Sequence, residues 1–148
     1  MNFVEANGAK IPAIGLGTWE LRDRTCARLV EQALRLGYRH VDTAQAYDNE
    51  REVGEGLRAS GVKRDEVFIT TKVWTTHFKP NDLERSAKES LARLRLTGNG
   101  DEVVLLYPSH RGGWGALGDF GASAMSLDKA LQCLSDNPYF LDLRETYG

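Results

Sequence analysis

The sequence predicts an α/β fold built on a parallel sheet. Two observations carry that expectation. Short β-rich runs alternate with segments of helical periodicity as far as residue 96, and most helical segments are followed by a glycine that stops them. Strand–helix alternation of this kind is the signature of βαβ units. A closed barrel and a doubly wound open sheet both fit it, and periodicity alone does not choose between them.

The elements follow in order. Phe3 to Ile11 reads as a hairpin turning at Asn7-Gly8, because both central residues of a tight hairpin turn must tolerate φ > 0. Ile14-Gly15-Leu16-Gly17 reads as a short buried strand. Leu29, Ala33, Leu34 and Leu36 recur at helical spacing, with Gly37 as the stop. Tyr38 to Asp42 is the next strand. A second helix is expected from about Asn49 to Ala59, with Val53 and Leu57 four apart and Gly61 closing it. Val67 to Thr71 is rich in β-formers. Asn81 is placed to cap a third helix, whose apolar stripe is Leu83, Ala87, Leu91 and Leu94. Val103 to Tyr107 reads as a fourth strand. A glycine-heavy stretch follows (Gly112, Gly113, Gly115, Gly118, Gly121), and Ser126 to Leu134 reads as a short helix capped by Ser126.

The 148 residues suit one domain, with 41% hydrophobic and 27% charged residues, close to the soluble globular norm. A net charge of −2 gives no electrostatic draw for nucleic acid. No apolar run approaches a membrane span, and the first residues lack the basic and apolar regions of a signal peptide. Cys26 and Cys133 lack metal-ligand spacing, so no metal site is expected. They read as reduced thiols of a cytoplasmic protein.

In parallel βα architectures, reactive groups collect where strands end. Here the first strand of the alternation ends in Gly17-Thr18-Trp19. The second ends in Asp42-Thr43-Ala44, with Tyr47 on its loop. The third ends in Lys72, followed by Val73-Trp74. An acid, a phenol and an amine therefore gather at one mouth. Hydride reduction of a carbonyl needs a proton delivered to the developing alkoxide. A free phenol, with pKa about 10, holds its proton too tightly near neutrality, and a neighbouring ammonium stabilises the phenolate. Lys72 is the ammonium offered to Tyr47, and Asp42 the carboxylate that keeps Lys72 charged and oriented. No side chain donates hydride, so a nicotinamide cofactor is required.

Three ordered motifs, Gly15-Leu16-Gly17-Thr18-Trp19, Gly37 through Glu50, and Phe68-Ile69-Thr70-Thr71-Lys72-Val73-Trp74, resemble the aldo-keto reductase superfamily. The resemblance is strongest to its bacterial diketogluconate and methylglyoxal reductase branch. Asp48-Asn49-Glu50 followed by Val53-Gly54, and Ser90 through Leu94, extend the likeness, which covers about residues 3 to 96. It implies a (β/α)8 TIM barrel, NADPH as cofactor, and reduction of small aldehydes or ketones. It also implies that Asp42, Tyr47 and Lys72 are three members of a catalytic tetrad, with Tyr47 as proton donor. Gly17, Thr18 and Asp42 would contact the cofactor, and Trp19 and Trp74 would wall the substrate site.

The tetrad's fourth member in that family is a histidine after the fourth strand. Counting from Lys72 without gaps puts Leu105 there, aligning the prolines puts Leu106 there, and only a shifted alignment brings in His110. The chain is also short of the ~250 residues of a complete barrel. The expectation is therefore a partial barrel over residues 1–108, truncated after three or four βα units, and a glycine-rich tail over 109–148. Such a barrel leaves sheet edges open to self-association. Beside the reductase reading stands another: a truncated remnant with no activity on its own. A Rossmann reading of Gly15-Leu16-Gly17 fails because Glu20 sits where the third glycine belongs. His40, His77 and Cys26 read as packing or solvated residues.

Overall fold

The computed structural model describes residues 1–6, 9–74, 80–94, 102–103, 106–108, 114–116 and 125–126. The chain divides into two compact units: Met1–Val4 with Ile11–Thr97, and Glu5–Lys10 with Gly98–Gly148. At the N-terminus β1 (Phe3–Ala6) pairs with β2 (Ala9–Pro12) as the expected hairpin. Its turn at Asn7-Gly8 lies outside the described residues.

The first unit is built on a parallel sheet in the order β3 (Leu16–Gly17), β4 (His40–Asp42), β5 (Phe68–Thr70). Gly17 lies opposite Asp42, and Asp42 opposite Thr70. Because side chains alternate across a strand, this register sorts the residues cleanly. Val41 is buried in the core and Ile69 packs against the same cluster. His40, Asp42, Phe68 and Thr70 face the other way, where the His40 and Phe68 rings meet edge to face at 5.4 Å and His40 Nε2 lies 3.0 Å from Thr70 Oγ1.

Helices α1 (Asp23–Arg35), α2 (Glu50–Ser60) and α3 (Pro80–Leu94) follow β3, β4 and β5 in turn. The core joins Cys26, Val30 and Leu34 of α1, Val53 and Leu57 of α2, Leu94 of α3, and Val41 and Val67. Two of the residues expected to form the α1 stripe do not. Leu29 and Leu36 are 38% and 82% exposed. The buried seam runs instead through Cys26, Val30, Ala33 and Leu34, the i, i+4, i+7, i+8 spacing of one helical face. Leu36 is the C-cap residue, beyond the last helical turn. Gly37 and Gly61, the two expected stops, have φ of +103° and +72°, a region that costs a residue with a Cβ. Asn81 lies inside α3 rather than capping it, since Pro80 already belongs to the helix. A proline suits the first helical position because its φ is preset and its missing N–H would have no helical partner there.

α2 packs on α1 and on α3 through its glycines. A Cβ at Gly56 would fall 2.4 Å from the Ala27 carbonyl oxygen of α1, and one at Gly54 would fall 2.5 Å from that of Leu94 in α3.

In the second unit the expected single strand over Val103–Tyr107 is replaced by β6 (Glu102–Val103) and β7 (Leu106–Pro108). β7 pairs antiparallel with β8 (Trp114–Ala116), and β6 antiparallel with β9 (Met125–Ser126). Only residues 109–113 separate β7 from β8, a connection long enough for a hairpin and too short for a parallel crossover. Ser126, expected as a helix cap, is a strand residue. Three parallel strands are thus present among the described residues.

Candidate active site

The site begins where the parallel ladder runs past the strand ends. Thr18 N–H donates to the Asp42 carbonyl (3.0 Å), Thr43 N–H to that of Thr70 (2.8 Å), and Gln45 N–H to that of Lys72 (3.0 Å). Lys72 lies two residues beyond Thr70 on a ladder still zipped, so its side chain emerges on the Asp42 face. Its ammonium donates to both carboxylate oxygens of Asp42 at 2.7 and 2.9 Å and to the Thr43 carbonyl at 2.9 Å. All three ammonium hydrogens have acceptors, and the nitrogen is fixed rather than swinging on its stem. Both side chains are about one-third exposed, so solvent screens the pair and its value lies in placement rather than stability.

Tyr47 ends a single 3-10 turn, Gln45–Tyr47, followed by Asp48 in the left-handed region at φ +51°. The turn lays the phenol ring beneath Lys72, whose Nζ is 5.3 Å from the ring centroid, within cation–π range. Trp19 closes on the same ring edge to face, with centroids 4.8 Å apart and planes at 72°. The Arg22 guanidinium donates to the Tyr47 carbonyl. Asp42, Lys72, Tyr47 and Trp19 are thereby brought together, as their places at the strand ends lead one to expect. Trp74 joins through its backbone, its N–H donating to Gln45 Oε1 at 3.0 Å, while the residue is about half exposed. His110 lies outside the described residues.

Three polar residues to which sequence alone assigns no role hold this arrangement. Asn49 is 1% exposed. It accepts from Thr43 Oγ1 (2.8 Å) and donates to the carbonyls of Thr18 (2.8 Å) and Leu21 (3.0 Å). Gln45 accepts from Ser86 Oγ at 2.8 Å as well as from Trp74. Glu50, 2% exposed, accepts from Thr71 Oγ1 (2.6 Å) and Arg93 (3.3 Å). The available signal was a run of amides and acids between a strand and an apolar helix stripe; burial, which gives that run meaning, is a tertiary property.

Cys26 is fully buried and its thiol is pushed up to about 11, chiefly by burial, then by Glu52, with Arg22 pulling the other way. It is held as the unreactive thiol, in keeping with a packing role. His40 likewise packs, bonded to the Pro12 carbonyl and to Thr70.

A flat cofactor ring needs open space beside the acid–amine pair. A Cβ at Gly17 would meet nothing within 4 Å, and Gly17 stands opposite Asp42 in the ladder. Trp19, two residues on, is exposed and packs edge to face on Tyr47. These residues fit a nicotinamide. Thr18, expected to contact the cofactor, is instead fully buried with its hydroxyl donating to the Asp42 carbonyl at 3.1 Å, so it braces Asp42 and does not face that space.

A βα sheet with an acid, an amine and a phenol at its carboxyl ends has close counterparts. Residues 13–105 match the sequence pattern of the Aldo/keto reductase family, and the chain belongs to that family. Methylglyoxal reductase DkgB of Salmonella typhi is 50% identical over 99 residues, covering 67% of this chain and 37% of that protein. Glycerol 2-dehydrogenase (NADP(+)) of Saccharomyces cerevisiae is 49% identical over 104 residues, covering 70% of this chain and 31% of that protein. Among solved structures, a protein described as 2,5-diketo-D-gluconic acid reductase B superposes with a TM-score of 0.62 at 49% identity, over 64% of this chain and 34% of that one. A Bombyx mori aldo-keto reductase in complex with NADP superposes at 0.55 with 35% identity, over 60% and 32%. The chain thus spans about a third of the length of the relatives it matches. Its fold is a part of the family's (β/α)8 barrel.

Proposed function

We propose that this protein takes part in NADPH-dependent reduction of small aldehydes or ketones. The observation that carries the reading is the Asp42–Lys72–Tyr47 arrangement, a phenol beneath an ammonium that a carboxylate holds in place. NADPH, when bound, supplies the hydride. Tyr47 is the proton donor to the carbonyl oxygen as it becomes an alkoxide. Lys72 stabilises the phenolate left behind, and Asp42 keeps Lys72 aimed. Gly17 and Asp42 face the nicotinamide, with Thr18 bracing Asp42. Trp19, and Trp74 on the far loop, wall the substrate. No helix among the described residues is long and apolar enough to cross a membrane.

A second reading, that these residues do not turn over by themselves, is favoured by one observation. Leu105 or Leu106 stands where the family resemblance calls for a histidine. NADPH consumption with methylglyoxal, measured beside a Tyr47→Phe control, separates the two. Turnover that disappears in the control supports the reductase. Folded protein without turnover leaves the second reading standing. We further propose self-association through β3 and β5, the outer strands of the parallel sheet, which sedimentation tests directly; a monodisperse monomer would overturn it.

A further inference from the structure

Tyr47 sits midway between two amides, Gln45 and Asn49, and each reaches to a different neighbouring loop. Asn49 reaches back to the loop after β3. Its two N–H groups bind the carbonyls of Thr18 and Leu21, the residues that bracket Trp19. Two carbonyl acceptors require the NH2 end of the amide there, so the orientation is set by chemistry, and Oδ1 is left to accept from Thr43. The bracketed segment is a tight turn, closed by Leu21 N–H donating to the Thr18 carbonyl at 3.1 Å. Its third residue, Glu20, has φ +64°, where a turn of this kind ordinarily takes glycine. A non-glycine residue is held in that region only when its surroundings over-determine it. The buried Asn49 amide is that surrounding. Gln45 reaches forward instead, binding the Trp74 N–H after β5 and the hydroxyl of Ser86 on α3.

We propose that Asn49 and Gln45 are a matched pair of positioning residues. Asn49 sets the Trp19 turn against the Tyr47 ring, and Gln45 holds the Trp74 backbone after β5, so that one short segment ties both walls to the proton donor. The functional consequence rests on the carbonyl-reductase reading; the positional one does not. Neither amide touches reacting atoms. Losing Asn49 would lower kcat, by about 10²-fold for a displacement near 1 Å, without changing the apparent affinity for NADPH in proportion.

The test labels the chain with 5-fluorotryptophan, whose three tryptophans give three fluorine resonances assigned by single Trp→Phe variants. Asn49→Ala is expected to move the Trp19 resonance and leave Trp74 in place, and Gln45→Ala to do the reverse. Thr43→Val, which keeps the amide but removes its hydroxyl donor, is expected to move Trp19 in the same sense by less. An Asn49→Ala variant that melts lower while its Trp19 resonance stays put overturns the proposal. If that variant does not fold, Thr43→Val decides by the same readout. A moved Trp19 resonance in a chain that never consumes NADPH upholds the positioning and sinks the reductase reading. Turnover with an unmoved resonance does the opposite.

Discussion

The Lys72 ammonium lies 5.3 Å from the centroid of the Tyr47 ring while bound to both oxygens of Asp42. If Tyr47 delivers the proton, Lys72→Met removes the charge that stabilises the phenolate. The expected loss in kcat/KM is about 10²- to 10⁴-fold, the range of a general-acid contribution. Because the residues act as a unit, Lys72→Met added to Tyr47→Phe should cost little more than Tyr47→Phe alone. Steady-state NADPH oxidation by the three variants checks both statements, and an undiminished Lys72→Met enzyme would remove Lys72 from the mechanism.

Gly56 faces the Ala27 carbonyl at a distance that leaves no room for a methyl group. Helix propensity alone favours alanine over glycine by about 1 kcal/mol. Backbone cannot yield as a flexible side chain does, so overpacking should win and Gly56→Ala should destabilise by about 1–3 kcal/mol. Glu55→Ala, on the exposed face of the same helix, should stay within about 0.5 kcal/mol of the parent. Urea unfolding of the two variants measures the contrast.

Arg93 and Arg85 both make ion pairs on α3, yet they should differ. Arg93 reaches Glu50, whose carboxylate is 1% exposed. Arg85 bridges the more exposed Asp82 and Glu89. Arg93→Met strips a buried acid of one of its two partners and should cost about 1–3 kcal/mol, whereas Arg85→Met should cost about 0.5 kcal/mol or less. Equal effects in denaturant titrations would mean that burial of Glu50 carries no consequence.

The Cys26 thiol, raised from 9.0 to about 11 by burial and then by Glu52, ties stability to alkaline pH. Its folded pKa exceeds the unfolded one, so its contribution is fully present below about pH 9 and is lost as pH rises through about 11. The melting temperature should therefore fall across that window, and Cys26→Ala should flatten the slope. At pH 8 alkylation of Cys26 in the folded chain should be slow beside that of the denatured chain.

The alternation of strand and helix through Leu94, the glycine stops at Gly37 and Gly61, and the placing of Asp42, Lys72 and Tyr47 at strand ends were all legible in the sequence. Each depends on local physics: period, turn chemistry, and the rule that parallel strands present their carboxyl ends together. Leu29 and Leu36 were misplaced because apolarity marks a candidate face, and only the neighbours decide which face is covered. The antiparallel pairings of β6 with β9 and of β7 with β8 were likewise illegible, since a short apolar run is compatible with either partner direction. The same holds for Asn49, Gln45 and Glu50. As letters they are ordinary polar residues between a strand and an apolar helix stripe, and their meaning comes from carbonyls, hydroxyls and a guanidinium 6 to 43 residues away in sequence. Chain order therefore determined which chemical groups arrive at the strand ends. Tertiary structure decided how they are held, because the hydrogen bonds that hold them join segments brought together only by the parallel ladder and the packed helices.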